Sequence, residues 1–159
     1  MNLTARPAVT EDAPLLAALA AEAVDEQRDA RGGPIWSVRE TRPAPYVESL
    51  ATSLADEDEL VIIGELDGTP LGYGAAHTEE LRDGSRLGVI SDLFVLADAR
   101  GVGLGEEIMT PLVQWCRDRG CRGIDALALP GNRSTKNFFE TFGFTARALV
   151  VHHVLDHEA

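Results

Sequence analysis

Three glycines alternate with apolar residues in the stretch Arg100-Gly101-Val102-Gly103-Leu104-Gly105. An apolar run precedes it at residues 89–96, and apolar residues at helical spacing follow it at residues 106–119. Glycine adopts positive φ without steric cost, so successive amide hydrogens can point outward together, and a helix that begins there adds the positive end of its dipole. The stretch therefore predicts a strand, a tight loop and a helix, with a loop suited to a diphosphate.

The remaining pattern predicts an α/β (α+β) fold in which helices flank a mixed sheet. Asp67-Gly68 and Asp83-Gly84 are hairpin signals between β-rich runs, so three antiparallel strands precede the glycine stretch. Thr10 and Asn132 are predicted to cap the first and the last helix, and residues 28–45, which include Trp36, are predicted to form a loop. Strands are predicted over residues 2–8, 60–66, 70–78, 86–96, 124–129 and 145–155, and helices over residues 10–24, 46–55, 106–119 and 132–142. Because no linker or repeat interrupts the chain, we expect one domain over residues 1–159.

Composition excludes several classes of function. The chain has 159 residues, a formal net charge of −12 and an isoelectric point near 4.6. Nucleic-acid-binding surfaces are basic, so this charge argues against a nucleic-acid partner. No apolar stretch has the length of a membrane span and no signal-peptide pattern is present, which favours the cytoplasm and no membrane association. Cys116 and Cys121 lack metal-ligand spacing and are too few for a disulfide framework, so no metal site is expected.

The spacing of the glycines tests which diphosphate the loop holds. A Walker loop requires lysine and then serine or threonine after its last glycine, whereas Glu106 and Glu107 follow Gly105. A dinucleotide-binding loop requires G-x-G-x-x-G directly after its strand, but Glu106 occupies the third glycine position. Both nucleotide interpretations are therefore disfavoured, including a nucleotide-dependent oxidoreductase.

Two linked motifs resemble the signatures of the GNAT acetyltransferase superfamily. The first is Leu93-Phe94-Val95-x4-Arg100-Gly101-x-Gly103-x-Gly105, which is similar to the family's acyl-CoA signature. The second is Asn132-x2-Thr135-x2-Phe138-Phe139-x3-Gly143-Phe144, which resembles its downstream signature of an asparagine, an aromatic pair and Gly-Phe. The close resemblance covers residues 89–144. It implies a GNAT-like central sheet, mostly antiparallel, with a strand-helix-strand unit that binds acetyl-CoA.

The resemblance also implies roles for individual residues. The backbone of Leu93, Phe94 and Val95 would pair with the pantetheine arm, and Asn132 would bond to its amide region. Phe138 or Phe139 would pack beside this arm, while Arg133 and Lys136 are candidates for the adenosine 3′-phosphate. The residues expected to hold the pyrophosphate, with the arginine that opens the motif, are Arg100, Gly101, Val102, Gly103, Leu104, Gly105 and Glu106.

The expected chemistry is direct attack of a primary amine, on a small molecule or peptide, upon the thioester in a ternary complex. The amine must lose a proton, and candidate bases are Asp92 and Glu79, with Glu80 and His77 as alternatives. The Val95 amide is the candidate donor to the developing oxyanion. Many relatives carry a tyrosine at the position of Phe139, and its hydroxyl protonates the leaving thiolate. The alternative function is a CoA-binding domain without catalysis. A homodimer is also compatible with the resemblance.

Overall fold

The computed structural model describes residues 1–155 and contains a five-stranded sheet with helices on both faces. The strands are β1 (Leu3–Pro7), β2 (Glu59–Leu66), β3 (Thr69–Glu80), β4 (Arg86–Val95) and β5 (Cys121–Ala126). The helices are α1 (Ala13–Gln27), α2 (Gly33–Arg39), α3 (Tyr46–Ala55), α4 (Leu104–Asp118) and α5 (Arg133–Thr141). Short 3₁₀ turns occupy Thr10–Asp12 and Ala97–Ala99.

The sheet is antiparallel from β1 to β4 and parallel between β4 and β5, in the spatial order β1-β2-β3-β4-β5. The Asp67-Gly68 turn has φ of 50° and 82°, the positive values that a two-residue hairpin of this hand requires. The chain crosses from β4 to the parallel strand β5 through α4, because a short hairpin turn can join only antiparallel strands. These features confirm the predicted mixed sheet with its strand-helix-strand unit.

Helix α4 packs on one face of the sheet, and glycines in the strands allow its close approach. A Cβ atom added at Gly64 or Gly74 would lie 2.7 Å from an atom of the Ile108 side chain. Ile108 and Leu112 are fully buried, and shortening either to alanine would cost about 2–5 kcal/mol of stability. The opposite face is covered by α1 and α3, whose Leu16 and Leu50 are fully buried.

A β-bulge interrupts the pairing of β3 with β4. Ala75 lies opposite Asp92 and Ala76 lies opposite Ile90, so Ser91 is the extra residue on β4. Bulges redirect side chains and are common beside active sites. This one brings Asp92 onto the face of the sheet that α1 and α3 cover, where Phe94 also packs.

Local predictions differ from the structure at several boundaries. Residues 28–45 contain the helix α2, because seven helical residues are too few to produce a visible period. Thr10 does not cap α1: it begins a 3₁₀ turn, and the Asp12 carboxylate accepts the Val9 amide at 2.8 Å. The strand predicted at residues 124–129 corresponds to β5. It begins three residues earlier than predicted, because its parallel pairing with β4 starts at Cys121.

The strand predicted over residues 145–155 is the main error. These residues form no regular element and are exposed along their whole length. Their β propensity is real, but within residues 1–155 they pair with no strand, because the propensity of a segment does not by itself determine where it pairs. Across residues 1–155, no helix combines the length and hydrophobicity needed to cross a membrane.

Candidate functional site

One side of β4 is open along the second half of the strand. The pairing of β4 with β5 ends where Ile90 lies opposite Ala126, so within the described chain residues 91–95 pair only with β3. The Leu96 amide donates to the Leu71 carbonyl, and successive residues of a strand turn their backbone groups to opposite sides. Val95 therefore faces the open side, where its carbonyl accepts Arg100 Nε at 2.8 Å. An extended ligand can add to this edge as another strand.

The glycine stretch follows directly and leads into α4. Gly101 and Gly103 have φ of 82° and 99°, a region that other residues rarely adopt. A Cβ atom at Gly101 would meet nothing within 4 Å, so solvent or a ligand can approach its backbone. The first backbone amides of α4, from Leu104 onward, have no partner within the helix and point out of its N-terminus. The loop and the helix end therefore present backbone amides side by side, an arrangement suited to an anion.

Two of the predicted coenzyme contacts lie on or beside α5. Asn132 caps α5, as predicted, since its Oδ1 accepts the Thr135 amide at 3.1 Å, and its Nδ2 donates to Gln27 at 3.3 Å. Phe138 packs against the glycine stretch, because a Cβ atom at Gly105 would lie 3.0 Å from its ring. Phe139 is 7% exposed and belongs to the core beneath α4. The aromatic pair is thus divided between the loop and the core.

Arg100 joins the glycine stretch to α1. Its guanidinium lies 2.7 Å from Glu26 and 5.6 Å from the centre of the Phe94 ring. Both side chains of the ion pair are partly exposed, so solvent screens it and it adds little stability.

A buried ion pair lies at the bulge. The Arg42 and Asp92 side chains are each 6% exposed, and Arg42 Nε and Nη2 donate to the two carboxylate oxygens at 2.9 and 3.0 Å. The Tyr73 hydroxyl donates to the same carboxylate at 2.7 Å, and Arg42 Nη1 donates to Ser53 Oγ at 2.8 Å. We call Arg42, Asp92, Tyr73 and Ser53 the buried polar network. Through the contact of Arg42 with Asp92, the network connects the segment between α2 and α3 to β4.

The buried polar network controls the protonation of its members. Burial raises the pKa of Tyr73 well above its usual range, and the Asp92 carboxylate raises it further. Burial alone would lower the pKa of Arg42, but its bonds with Asp92 outweigh this, and the pKa is raised. Tyr73 therefore stays a hydroxyl donor and Arg42 stays a cation.

A cavity of about 400 Å³ lies against the buried polar network and reaches the start of the open β4 edge at Ser91 and Asp92. Glu40 and Glu59 contribute acidic groups to its wall, while the charges of the lining residues Arg42 and Asp92 offset each other in their ion pair. The Arg42 guanidinium is already bonded to Asp92, Ser49 and Ser53. The cavity consequently favours a cationic ligand.

The base candidates occupy different positions around this cavity. Asp92 is bound on both oxygens, by Arg42, Tyr73 and Ser91. His77 lines the cavity, and its Nε2 lies 3.4 Å from the carboxylate of Glu79, which is more exposed. Glu80 is the next residue along β3 and therefore points to the opposite face of the sheet.

Sequence reasoning missed Arg42 and Tyr73. Arg42 lies in a segment without periodicity, 50 residues from its partner Asp92, and Tyr73 looks like an ordinary strand aromatic. A usable signal was the unpaired charge of Asp92 in an apolar strand, because a buried carboxylate requires a cationic or hydrogen-bonding partner.

Comparison with known proteins gives a consistent assignment. The family model described as "Acetyltransferase (GNAT) family" matches residues 21–144. Glucosamine 6-phosphate N-acetyltransferase 1 of Oryza sativa subsp. japonica is 40% identical over 102 residues, which are 63% of this chain and 60% of that protein. The chain thus aligns with about 60% of the length of that curated relative.

Two solved structures have the same fold. A mutant of the BH1408 protein from Bacillus halodurans superposes with a TM-score of 0.81 at 20% identity, over 98% of this chain and 99% of that one. The aminoglycoside acetyltransferase AAC(6')-Iy, in complex with a bisubstrate analogue of CoA, has a TM-score of 0.73 at 15% identity, over 99% and 100% of the two chains. At such identities the likeness shows the fold.

Proposed function

Because the chain belongs to the GNAT acetyltransferase family, we propose that its one domain transfers an acetyl group from acetyl-CoA to a primary amine. The observation that carries the proposal is the open edge of β4 at residues 91–95, which lies between the glycine loop and the cavity. A coenzyme bound along that edge, with its pyrophosphate at the loop, would present its thioester at the bulge. An amine in the cavity would then attack directly, in a ternary complex.

The coenzyme is proposed to bind chiefly through backbone groups. The pantetheine arm adds to the edge formed by Leu93, Phe94 and Val95, while the amides of residues 101–106 hold the pyrophosphate. Phe138, against Gly105, is the aromatic placed beside this path, whereas Phe139 supports it from the core. Asn132 would reach the pantetheine only by exchanging its bond with Gln27.

The acceptor is proposed to be a cationic amine, on a small molecule or a peptide, that carries no phosphate. Acidic groups line the cavity, and the bonds of Arg42 to Asp92, Ser49 and Ser53 leave it little capacity to bind a phosphate. The rice relative is named for an amino sugar phosphate, so the charge of this cavity predicts a different preference.

The proton of the attacking ammonium is proposed to leave through His77, with Glu79 orienting the imidazole. His77 lines the cavity and Glu79 lies 3.4 Å from it. Asp92 is a base candidate from the sequence, but both of its oxygens already accept hydrogen bonds from Arg42. Its proposed role is to hold the Arg42 side chain in position. The Val95 amide is the proposed donor to the oxyanion.

Phe139 favours the second candidate function, a CoA-binding domain without catalysis, because a phenyl ring in the core cannot protonate a thiolate. Transfer without a hydroxyl is nevertheless feasible, because a thiol with a pKa of about 8.5 is a fair leaving group near neutral pH.

Titration calorimetry and thiol release test the proposal. We expect acetyl-CoA and CoA to bind and NAD not to bind, and thiol to be released faster with polyamines or aminoglycosides than with glucosamine 6-phosphate. Absence of CoA binding would refute both functions. Binding without thiol release from any acceptor would favour the second function, and a preference for glucosamine 6-phosphate would contradict the proposed acceptor class.

The variant His77→Asn tests the proposed base. We expect kcat to fall about 100-fold, within the usual contribution of a general base, while the dissociation constant of acetyl-CoA stays unchanged. Glu80→Gln is the control. Glu80 lies on the same strand as His77 but on the opposite face of the sheet, away from the cavity. An unchanged kcat in His77→Asn would exclude this base.

A further inference from the structure

Glu59 is the acidic residue of the cavity wall that forms no salt bridge within residues 1–155. The other acidic residues that line the cavity have cationic partners: Asp92 is paired with Arg42, and Glu40 lies 3.1 Å from the preceding arginine. The Glu59 carboxylate accepts a hydrogen bond from a neutral group instead, from Ser53 Oγ to Oε1 at 2.9 Å. Its negative charge is therefore available to a ligand in the cavity.

The second oxygen of the Glu59 carboxylate, Oε2, is open to solvent. It accepts no hydrogen bond within residues 1–155, and in that part of the chain no fully buried side-chain oxygen or nitrogen lacks a partner. The bond from Ser53 holds the carboxylate in place, since Ser53 is 5% exposed and also accepts Arg42 Nη1 at 2.8 Å. A carboxylate that is held by one oxygen and open at the other can accept a hydrogen bond from an ammonium group.

Glu59 lies beside the proposed base on the same face of the sheet. It is directly opposite His77 in the pairing of β2 with β3, and both residues line the cavity. Residues that are opposite each other in an antiparallel pair point to the same face, with Cβ atoms about 4.5–5.5 Å apart. A ligand whose reacting amine lies at His77 therefore has Glu59 within reach of its other end.

The order of the strands sets the direction in which such a ligand extends. The open edge and the bulge belong to β4, His77 belongs to β3, and Glu59 belongs to β2, the next strand across the sheet. Because neighbouring strands are about 4.8 Å apart, Glu59 lies about 10 Å from β4 in this direction. An acceptor that reacts at β4 and also contacts Glu59 thus needs two cationic groups joined by a chain of several bonds.

We propose that Glu59 determines the specificity for the acceptor by binding a second ammonium group, so that one end of a linear diamine is acetylated. This inference rests on the proposed transfer to an amine for the reacting end, whereas the contact at Glu59 is a binding event. The attraction between the two charges is stronger in a partly enclosed cavity than in open water. An acceptor with a carboxylate at the same place is repelled, so amino acids of similar length should be poor acceptors.

Thiol release with matched acceptors tests this inference on the unmodified protein. We expect kcat/KM for the linear terminal diamine diaminopentane to exceed that for pentylamine about tenfold, the usual effect of one hydrogen bond to a charged group. Diaminoethane, whose ammonium groups are too close together to span two strands, should have no such advantage over ethylamine. Equal kcat/KM values for diaminopentane and pentylamine would overturn the inference and leave transfer to an amine standing.

The variant Glu59→Gln isolates the charge of the carboxylate. An amide oxygen can still accept the bond from Ser53, so we expect a folded protein in which the ratio of kcat/KM for diaminopentane to that for pentylamine falls about tenfold, through KM. Glu57→Gln is the matched control, because it removes the same charge from an exposed residue outside the cavity wall. An unchanged ratio in Glu59→Gln, or an equal fall in Glu57→Gln, would overturn the inference.

Calorimetry in the presence of CoA separates this inference from the proposed transfer. Diaminopentane should bind about tenfold more tightly to the unmodified protein than to Glu59→Gln, whether or not thiol is released. Binding of this kind without thiol release would support the role of Glu59 and refute the transfer. Equal affinities of the two proteins for diaminopentane would refute the role of Glu59.

Discussion

The two sides of β4 that form the candidate site are built in different ways. On the coenzyme side, the site consists of backbone groups from one continuous stretch, residues 91–106, with glycines where the chain needs positive φ. On the cavity side, it consists of side chains from five separate segments, held by the ion pair of Arg42 with Asp92. A backbone surface tolerates many side-chain changes, whereas the buried polar network depends on each of its members. The two sides should consequently respond to mutation differently.

Removing a carboxylate from the buried polar network should give the largest effect. In Asp92→Ala the Arg42 cation keeps its buried position without its partner, and we expect a loss of about 3–5 kcal/mol in the free energy of unfolding, measured with urea. Asp98→Ala, at an exposed aspartate, should change it by less than about 0.5 kcal/mol. Equal effects in the two variants would contradict a structural role for the ion pair.

A charge in the glycine stretch should act on binding. We expect Gly101→Glu to weaken acetyl-CoA binding about 100-fold in calorimetry, because a carboxylate would lie beside the pyrophosphate; this corresponds to about 2.7 kcal/mol. The matched control is Gly84→Glu in a hairpin, where φ is 85° and a Cβ atom also meets nothing within 4 Å. Because φ is similar at the two glycines, the two variants carry similar backbone strain. A similar acetyl-CoA affinity in both would contradict a pyrophosphate site at this loop.

The smallest of these effects concerns the Tyr73 hydroxyl. Tyr73→Phe removes a buried hydrogen bond to a carboxylate and should cost about 2 kcal/mol of stability near neutral pH, with acetyl-CoA affinity unchanged. The pKa of Tyr73 is raised in the folded state, so its stabilising contribution is complete below pH 10 and declines as the pH rises above 10, where the unfolded tyrosine ionises.

The stability difference between the unmodified protein and Tyr73→Phe should therefore narrow above pH 10, and urea unfolding at several pH values checks this. A constant difference between pH 8 and pH 11 would mean that Tyr73 ionises equally in both states. Loss of acetyl-CoA affinity in this variant would show that the two sides of β4 are not separable.

The sequence was sufficient wherever neighbouring residues decide the structure. The hairpin at Asp67-Gly68, the cap at Asn132 and the loop before α4 follow from local backbone preferences, and all three are present. It was insufficient for α2, because seven residues show no period, and for the bulge at Ser91, because a bulge depends on the register of two strands. The partner of Asp92 was likewise invisible, since it comes from a segment without pattern.

The sequence by itself determined the class of fold, the family resemblance and the stretch expected to bind acetyl-CoA, because these depend on glycine spacing and short-range periodicity. Only the tertiary structure decided which side chains surround the cavity, that Asp92 is bound by Arg42 and Tyr73, and that residues 145–155 lack a strand partner within the described chain. The physical reason is distance along the chain: burial, ion pairing and strand pairing join segments that only folding brings together.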